Sequence, residues 1–525
     1  IFGKTSLSEE MYIGNNMTST LTLTYNKKIK GHSMSGLLVY EQFESLGSTL
    51  GASRTNFPFT SIDQLFAGGD DEEQSNWGTP AQDARKGLIG RFNYDYKGKY
   101  LAEFSFRYDG SLKFHPDRRW GFFPSVSLGW RLSEEAFMKK FSNLDNLKVR
   151  GSYGILGNDA VGGWQWLTNY SFGNAYIFNQ APIKSIVSGG IPNVDLTWEK
   201  TATFNFGVDA SIYKGLLAVE ADVFYKRTYD ILGSRNASMP QTFGATLPSE
   251  NYGIVKVKGF ELQVKHDNKI GDFRYHVGGN VSWSRNKVIE KDYAAGAEPW
   301  NIPVGKTMGY RACFVALGLF QSDEEAAAWP RFKGTQPTAG DVKYADLNND
   351  GIMDERDKKV VSPYSNTPEI MFGLNLSASW KGFDFSALFQ GAANRNVMLS
   401  GFATQMFING ASNLPKYLYE DHWTPDNRDA RYPKAWGPDH PSNNKSSTFW
   451  LINGNYVRLK NVELGYSISK DLLSRVGVDR LRIYVGGSNL FSIDHMPGYD
   501  PEKQDGGPNY YPQQRVFNMG VNITF

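Results

Sequence analysis

Long segments in which apolar and polar residues strictly alternate are the feature that most constrains the fold of this chain. In the closing stretch 517–525, Phe, Met, Val, Ile and Phe stand at every second position, and Asn, Gly, Asn and Thr stand between them. The segment 100–109 alternates in the same way, with all of its charged residues on one side. A two-residue period is typical of a β-strand with one apolar and one polar face. The pattern therefore predicts an all-β protein.

Strand length and aromatic placement favour a transmembrane antiparallel β-barrel over a soluble sandwich, which alternates similarly. Soluble strands are commonly about 5 or 6 residues long, whereas these segments reach the roughly 10 residues needed to cross a bilayer at a tilt. Aromatic residues also cluster beside short turns, as in an interfacial belt; they include Tyr96, Tyr100, Tyr213, Trp380 and Phe383. A soluble or surface-attached β-rich protein that binds glycans without transporting them remains the alternative.

The lengths of the connections give a second test, because outer-membrane barrels alternate short periplasmic turns with long extracellular loops. We predict strands near 16–26, 31–45, 86–96, 100–109, 120–132, 147–156, 199–212, 217–231, 252–266, 272–286, 367–380, 383–396, 453–468, 480–491 and 514–525. Short and long connections alternate throughout. Plugged outer-membrane transporters have about 22 strands, so residues 1–525 are interpreted as the C-terminal part of one outer-membrane β-barrel domain, about 15 strands of an expected 22.

Helices are expected only as minor elements. In two of the short connections, helices are predicted to begin at Ser133 and at Ser469, the second ending near Gly477. The strand-like segments 164–170 and 309–321 would spoil the alternation and are assigned to structure inside long loops.

Composition excludes several classes of function. Lys and Arg number 56 against 54 Asp and Glu, so the net charge of +2 gives no indication of nucleic-acid binding. The single cysteine, Cys313, excludes an intramolecular disulfide and a Cys-rich metal site. The catalytic motifs of hydrolases, metalloproteases and nucleotide-binding enzymes are missing, so the chain is predicted not to be an enzyme.

Several motifs together resemble the barrel of the SusC-like TonB-dependent outer-membrane transporters. They are "RFNYDYKGKYLAEFSFRYDGS", "RWGFFPSVSLGWRLSEEAF", "DLTWEKTATFNFGVDASIYKG", "GDVKYADLNNDGIMDERD", "NYVRLKNVELGYSIS", "GSNLFSID" and "GYDPE". The resemblance runs in order from about residue 86 to the end.

The resemblance implies a multi-pass β-barrel in the cell outer membrane that imports oligosaccharides or peptides, energised through TonB. It implies a SusD-like surface lipoprotein as lid, contact with membrane lipid, and a dimer of transporter–lipoprotein pairs. The plug domain and the TonB-contacting region of such transporters are not found in this sequence and are expected upstream of residue 1. Glycan and peptide importers would share these motifs, so the substrate and the residues that contact it stay unknown.

One loop has the spacing of a metal site. The segment 346–357 reads "DLNNDGIMDERD" and places oxygen ligands and a turn glycine as an EF-hand loop does. The predicted ligands are Asp346, Asn348, Asp350, Ile352 through its carbonyl, Asp354 and Asp357. Calcium is the expected ion, in a structural role, within the long extracellular loop 287–366. Position 12 is Asp instead of Glu, and the alternative is an acidic solvated turn.

Weaker candidates are loop aromatics and paired carboxylates. The segments 421–434 and 495–502 combine His, Trp, Tyr and Asp and could stack on sugar rings, although loop aromatics more often pack the loop itself. Glu220 and Asp222 have the spacing of a carboxylate pair, for which lining of a wet lumen is favoured over glycosidase chemistry.

Overall fold

The structure is a computed structural model that describes residues 4–69, 74–178, 181–243, 245, 247–407, 413–436, 442–469, 473, 477–506, 511 and 513–525. Its strands are β1 (Ser6–Ile29), β2 (His32–Thr55), β3 (Gln74–Tyr96), β4 (Tyr100–Ser111), β5 (Trp120–Arg131), β6 (Leu144–Asn158), β7 (Tyr170–Phe178), β8 (Ala181–Ser188), β9 (Glu199–Ile212), β10 (Leu217–Gly233), β11 (Glu250–Ile270), β12 (Phe273–Glu290), β13 (Arg311–Phe314), β14 (Ala316–Leu319), β15 (Arg331–Phe332), β16 (Val342–Tyr344), β17 (Ile352–Met353), β18 (Lys358–Ser362), β19 (Ile370–Trp380), β20 (Phe383–Ala393), β21 (Asn396–Met398), β22 (Leu451–Asn453), β23 (Tyr456–Ser467), β24 (Arg480–Asp494) and β25 (Val516–Thr524). The α-helices are α1 (Asp323–Ala328) and α2 (Lys416–Glu420). Short 3-10 turns occur at Leu65–Ala67, Leu132–Glu134, Gln241–Phe243, Glu355–Asp357 and Gly401–Ala403.

Fifteen long strands form one antiparallel sheet, the main sheet, which confirms the predicted fold class and strand number. Its order is β1-β2-β3-β4-β5-β6-β9-β10-β11-β12-β19-β20-β23-β24-β25. Strands that neighbour each other in this sheet also follow each other along the chain, apart from the small strands inserted between them. Short and long connections alternate as the sequence predicts except around β5, where the connection before it, 112–119, has 8 residues and the connection after it, 132–143, has 12.

The main sheet has one apolar and one polar face. Where β11 pairs with β12, Phe260 is opposite Trp283 and Leu262 is opposite Val281 on the apolar face. Glu261 and its neighbours of the same parity form the polar face. The remaining sheets among the described residues have two strands each and belong to long connections. Many side chains of the apolar face are exposed; the side chain of Phe260, for example, is 40% exposed.

The first three strands are longer than the sequence pattern indicates. The strands β1 and β2 each have 24 residues and β3 has 23. The pairing between β1 and β2 continues without interruption from Ile29↔His32 to Ser6↔Thr55. In the outer parts of these strands apolar and polar residues no longer alternate, as at Met11, Tyr12 and Ile13 of β1, although the ladder of hydrogen bonds persists.

The chain divides into two compact units, the first comprising 1–130, 151–204 and 228–253, the second the rest. A small core in the first unit joins two of the quoted motifs. Trp198 packs its ring 5.5 Å from Phe114 and 5.2 Å from Phe123, measured between centroids. Its indole N–H donates to the carbonyl oxygen of Arg119 at 2.8 Å. The "DLTW" and "RWGFFP" segments thus stabilise each other.

In the second unit the long connections fold into two cores of their own. One contains Val397, Met406, Leu418 and Trp450, and the other contains Phe314 and Val342 with their neighbours. The strands β13 and β14 lie in this region and pair with β18 and β16 instead of the main sheet. The interpretation of 309–321 as structure inside a long loop is confirmed.

The prediction that a helix begins at Ser133 is wrong. That connection has only the 3-10 turn Leu132–Glu134, and Arg131, not Ser133, stands at its N-cap. Successive i to i+3 hydrogen bonds, from Met138 N to Glu135 O and from Phe141 N to Met138 O, continue it as turns. The second predicted helix, 469–477, falls mainly outside the described residues. None of the helices in the described ranges has the length and apolarity to cross a membrane.

Candidate functional site

A cavity of about 750 Å³ lies on the polar face of the second unit. Residues of six neighbouring strands line it, and those of polar-face parity include Glu220 on β10, Glu261 on β11, Asn280 on β12, Met371 on β19, Gln390 on β20 and Tyr456 on β23. The carboxylate and amide groups in this lining stand beside apolar residues such as Leu262, Val281 and Met371. The cavity can therefore offer many hydrogen bonds to a polar solute.

The carboxylates of Glu220 and Asp222 both line this cavity, but in different states of pairing. Asp222 accepts two hydrogen bonds from the guanidinium of Arg150, at 2.6 and 2.5 Å, and a third from the amide of Asn205 at 2.7 Å. Among the described residues, the charged partner of Glu220 is Lys265, at 3.8 Å. Asp222 is consequently fixed within an ion pair, while Glu220 is 51% exposed and able to meet a solute.

One wall of the cavity comes from the "GYDPE" segment, which folds back onto the main sheet. Arg458 of β23 is only 4% exposed, and its guanidinium lies 2.7 Å from Asp500 and 3.1 Å from Glu502. Lys460 approaches Glu502 at 3.4 Å. Two cations spaced by two residues thus meet two carboxylates with the same spacing. The pairing joins "NYVRLK" to "GYDPE", a contact that sequence reasoning missed although the matched charge spacing could have indicated it.

A second arginine secures the same wall through backbone groups. Arg395, which follows β20, donates to the carbonyl oxygens of Asn366, Pro501 and Lys503 at 3.1, 2.5 and 2.6 Å. Burial lowers the pKa of Arg395, and burial likewise lowers the pKa of Lys503, whose ammonium donates to the carbonyl of Gly506 at 2.5 Å.

The acidic loop 346–357 adopts a tight, internally hydrogen-bonded conformation. Asp346 Oδ2 accepts from the N–H of Gly351 at 2.9 Å, and Asp350 Oδ1 accepts from the N–H of Ile352 at 2.9 Å. The carboxylate of Asp357 is buried and accepts from the N–H groups of Leu347 and Asp354. Gly351 has φ +78°, the conformation that the turn glycine supplies. The two ends of the loop are thereby tied together.

The predicted ligands are not gathered around one point. Arg356 lies between them, with its guanidinium 2.6 Å from Asp350 and 2.8 Å from Asp354. Asn348 bonds to Asp350, and the side chain of Ile352 is exposed. Asp346 Oδ1 is buried without a hydrogen-bond partner. Within the described ranges, the carboxylate, imidazole and thiol groups form no cluster of three that could hold a metal ion. The calcium site therefore stays a prediction.

Most aromatic residues of the segments 421–434 and 495–502 pack the loops themselves. Trp423 and Tyr432 are 8% and 6% exposed, and Tyr432 stacks against Trp450 at 6.2 Å. Met496 belongs to the same core, and Tyr499 packs against it. These rings are consequently not available to stack on a sugar.

The relatives of this chain are receptors and transporters. Residues 3–490 match the family model described as TonB dependent receptor-like, beta-barrel. TonB-dependent receptor P3 of Formosa agariphila is 26% identical over 541 residues, which cover 97% of this chain and 52% of that protein. TonB-dependent receptor SusC of Bacteroides thetaiotaomicron is 26% identical over 459 residues, which cover 83% of this chain and 43% of that protein.

The comparison with solved structures agrees in fold. The structure of the RagAB peptide transporter superposes with a TM-score of 0.78 at 23% sequence identity, covering 99% of this chain and 56% of that one. The chain spans about half the length of the curated relatives it matches. Because the family model covers most of the chain, the family is established: this is a SusC-like member of the TonB-dependent receptor β-barrel family, and its place is the outer membrane.

Proposed function

We propose that the protein to which this chain belongs imports oligosaccharides or peptides across the outer membrane by TonB-dependent active transport, and that it is not an enzyme. The observation that carries the proposal is the pair of faces of the main sheet, one apolar and exposed, the other polar with a hydrogen-bonding cavity. A soluble glycan-binding protein would instead cover the apolar face with a second sheet.

The chemistry of the cavity favours neutral or cationic solutes over polyanions. Glu220 and Glu261 contribute carboxylates to its lining, and Gln263 and Asn280 contribute amides. The carboxylates of Asp222 and Glu502 are already paired with Arg150, Arg458 and Lys460. Like charges in a cleft with low-dielectric walls repel an anion and raise the local concentration of cations. Peptides with free amino groups and neutral oligosaccharides both satisfy this condition. The RagAB proteins are named as a peptide transporter, which supports the peptide alternative without excluding glycans.

The proposed partners are TonB, acting through a region upstream of this chain, and a SusD-like lipoprotein that closes the extracellular mouth. The long connections support the second partner, because they are packed against each other and offer a formed surface. Val342 N–H donates to Asn443 Oδ1 and Tyr344 O–H donates to the Ser442 carbonyl, both at 2.8 Å. These bonds join loop segments about one hundred residues apart. A dimer of transporter–lipoprotein pairs belongs to the same proposal.

We also propose that the loop 346–357 binds calcium in a structural role. The donor set is one that a hard cation accepts, since carboxylates stand at positions 1, 5, 9 and 12, an amide at position 3 and a carbonyl at position 7. The buried, unpartnered Asp346 Oδ1 supports the fit. Bound calcium would supply a charge to hold Asp346, Asn348, Asp350, Ile352, Asp354 and Asp357 together, in competition with Arg356 for Asp350.

The import proposal is tested with cells that produce the full-length protein, with and without TonB, given fluorescent pools of oligosaccharides or peptides. One pool should bind at the cell surface in both strains and accumulate inside the outer membrane only in the strain with TonB. Cells that lack the protein control for background entry. Surface binding without TonB-dependent accumulation of either pool would contradict import and favour the glycan-binding alternative.

A further inference from the structure

Four basic side chains face each other on the apolar face of the main sheet, immediately beyond its last aromatic pair. In the pairing of β11 with β12, Lys258 is opposite Arg285 and Lys256 is opposite Lys287. The next rung toward the short turn is Phe260 opposite Trp283, with ring centroids 5.9 Å apart. The four cations therefore occupy alternate positions of each strand, 256 and 258 on β11 and 285 and 287 on β12, on the same side as the lipid-facing residues.

This arrangement costs free energy unless something neutralises it, because like charges directly opposite each other on paired strands repel. Only Arg285 has an anionic partner among the described residues, Glu369, with two contacts of 2.7 Å. No hydrogen bond or ion pair joins Lys256, Lys258 or Lys287 to another described side chain. Lys258 and Lys287 are also exposed. Among the described residues, the positive charges of Lys256, Lys258 and Lys287 thus remain uncompensated.

The same four residues line a groove of about 590 Å³ at the end of the sheet that carries the long connections. Its other wall is a loop that includes Lys306 and Tyr310, with Val360 and Pro363 beside them. The Lys306 ammonium donates to the carbonyl oxygens of Pro299 and Ile302 at 2.5 and 2.6 Å, which fixes it at the groove. The groove thus combines concentrated positive charge with an apolar wall.

The depth of the groove indicates which anion it meets. From Phe260 to Ile270 the strand β11 advances ten residues, about 33 Å at 3.3 Å per residue, or about 25 Å across the membrane at a tilt of about 40°. That distance equals the height of the apolar band of an outer-membrane barrel, so Phe260 and Trp283 lie at one interface. Residues one and two rungs farther, on the same face, lie at the level of the lipid headgroups of the outer leaflet.

We propose that Lys256, Lys258, Arg285 and Lys287 form a binding site for a phosphorylated lipid headgroup of the outer leaflet. The phosphates neutralise the facing cations, since ammonium and guanidinium groups make charge-assisted hydrogen bonds to phosphate. The apolar wall accommodates the start of the acyl chains. Clusters of basic residues at a membrane surface recognise anionic headgroups in this way.

The test measures lipid binding to the full-length protein in mild detergent by native mass spectrometry. The probes are bisphosphorylated lipid A, the same lipid with both phosphates removed, and inorganic phosphate. The test variant is K258Q/K287Q, and the matched control is K333Q/K416Q, which removes two exposed lysines from the long connections. Heat-modifiable migration verifies that each variant is folded.

We expect K258Q/K287Q to bind bisphosphorylated lipid A about tenfold to thirtyfold more weakly than the wild type does, the loss expected for two basic residues at an anionic surface. The control should bind normally, and the dephosphorylated lipid should bind all three proteins weakly and alike. Without phosphorylated lipid, the thermal midpoint of K258Q/K287Q should be equal to or above that of the wild type, because a repulsion is removed.

Three results would overturn the proposal. The first is unchanged binding of bisphosphorylated lipid A by K258Q/K287Q. The second is equal binding of the phosphorylated and dephosphorylated lipids by the wild type. The third is inorganic phosphate binding as tightly as the lipid, which would assign the groove to a free anion.

Discussion

At the scale of one residue, Cys313 shows that the folded long connections bury side chains that water would surround in an unfolded chain. Its thiol is buried in β13, where burial raises its pKa to about 11, with a smaller opposing effect from the charges of Lys358 and Arg311. The folded state therefore favours the neutral thiol. Its contribution to stability is fully present below the unfolded pKa of about 8.5 and is lost as the pH rises toward about 11.

We expect Cys313 in the folded protein to resist alkylation by iodoacetamide at about pH 8.5, because the thiolate is the reactive form. The reaction is followed by mass spectrometry of the peptide that contains Cys313, over a series of pH values. The midpoint should lie near 11 in the folded protein and near about 8.5 after unfolding in urea. A folded protein that reacts with the lower midpoint would show that the thiol is solvated and that this loop core is open.

At the scale of one structural element, the loop 346–357 tests whether the stability of a single connection depends on a bound metal. We expect calcium to bind with a dissociation constant of about 0.1–1 mM, since Asp at position 12 reaches less far than Glu. At ten times that constant, binding would stabilise the loop by about 1.4 kcal/mol. Limited proteolysis of 287–366 in calcium or in chelator measures the effect as slower cleavage.

The control for this prediction is a pair of acid-to-amide variants. D346N/D350N should abolish calcium protection, whereas E324Q, which removes an exposed carboxylate in α1, should keep it. Equal cleavage rates of the wild type with and without calcium at several millimolar would leave the loop as an acidic turn held by Arg356.

The elements also differ in how far their sequence predicts them. The strand β4 could be predicted because every second residue is apolar. The short turn between β19 and β20 could be predicted from its glycine, Gly382, which in the structure adopts φ +91°. The outer thirds of β1 and β2 could not, because apolar and polar residues do not alternate there while the backbone pairing continues. The two-residue period of a strand reflects which of its faces lies in lipid. It does not reflect whether the backbone of the strand is hydrogen-bonded to its neighbour.

Contacts between distant segments of the second unit were missed for a different reason. Asn443 donates to Asp341 across 102 residues, and Arg458 meets Asp500 across 42. Each of these residues taken singly is an ordinary polar residue of a loop or a strand. The order of the strands brings the segments together, so these contacts follow from topology, and only the pairing of Arg458 with Asp500 has a signal in the sequence, its matched charge spacing.

At the scale of the whole molecule, every functional conclusion depends on lipid contact along the apolar face. Val264 and Gln263 are adjacent on β11 and have opposite parity. Val264 pairs with Gly279 and Gln263 with Asn280, and only Gln263 and Asn280 line the cavity. Val264 stands roughly midway between Phe260 and Ile270, near the centre of the apolar band.

We expect Val264→Arg to lower the free energy of unfolding by about 2–4 kcal/mol, the cost of a cation at the bilayer midplane. Gln263→Arg, one residue away and on the polar face, should change it by less than about 0.5 kcal/mol, as surface substitutions do. Both variants of the full-length protein are compared in lipid vesicles by urea unfolding, with heat-modifiable migration as the measure of folding. If the two substitutions prove equally tolerated, the apolar face does not meet lipid; if Gln263→Arg is the more damaging, the two faces are reversed. Either result would remove the basis for transport and for the lipid headgroup site together, because both require the same side of the sheet to face the membrane.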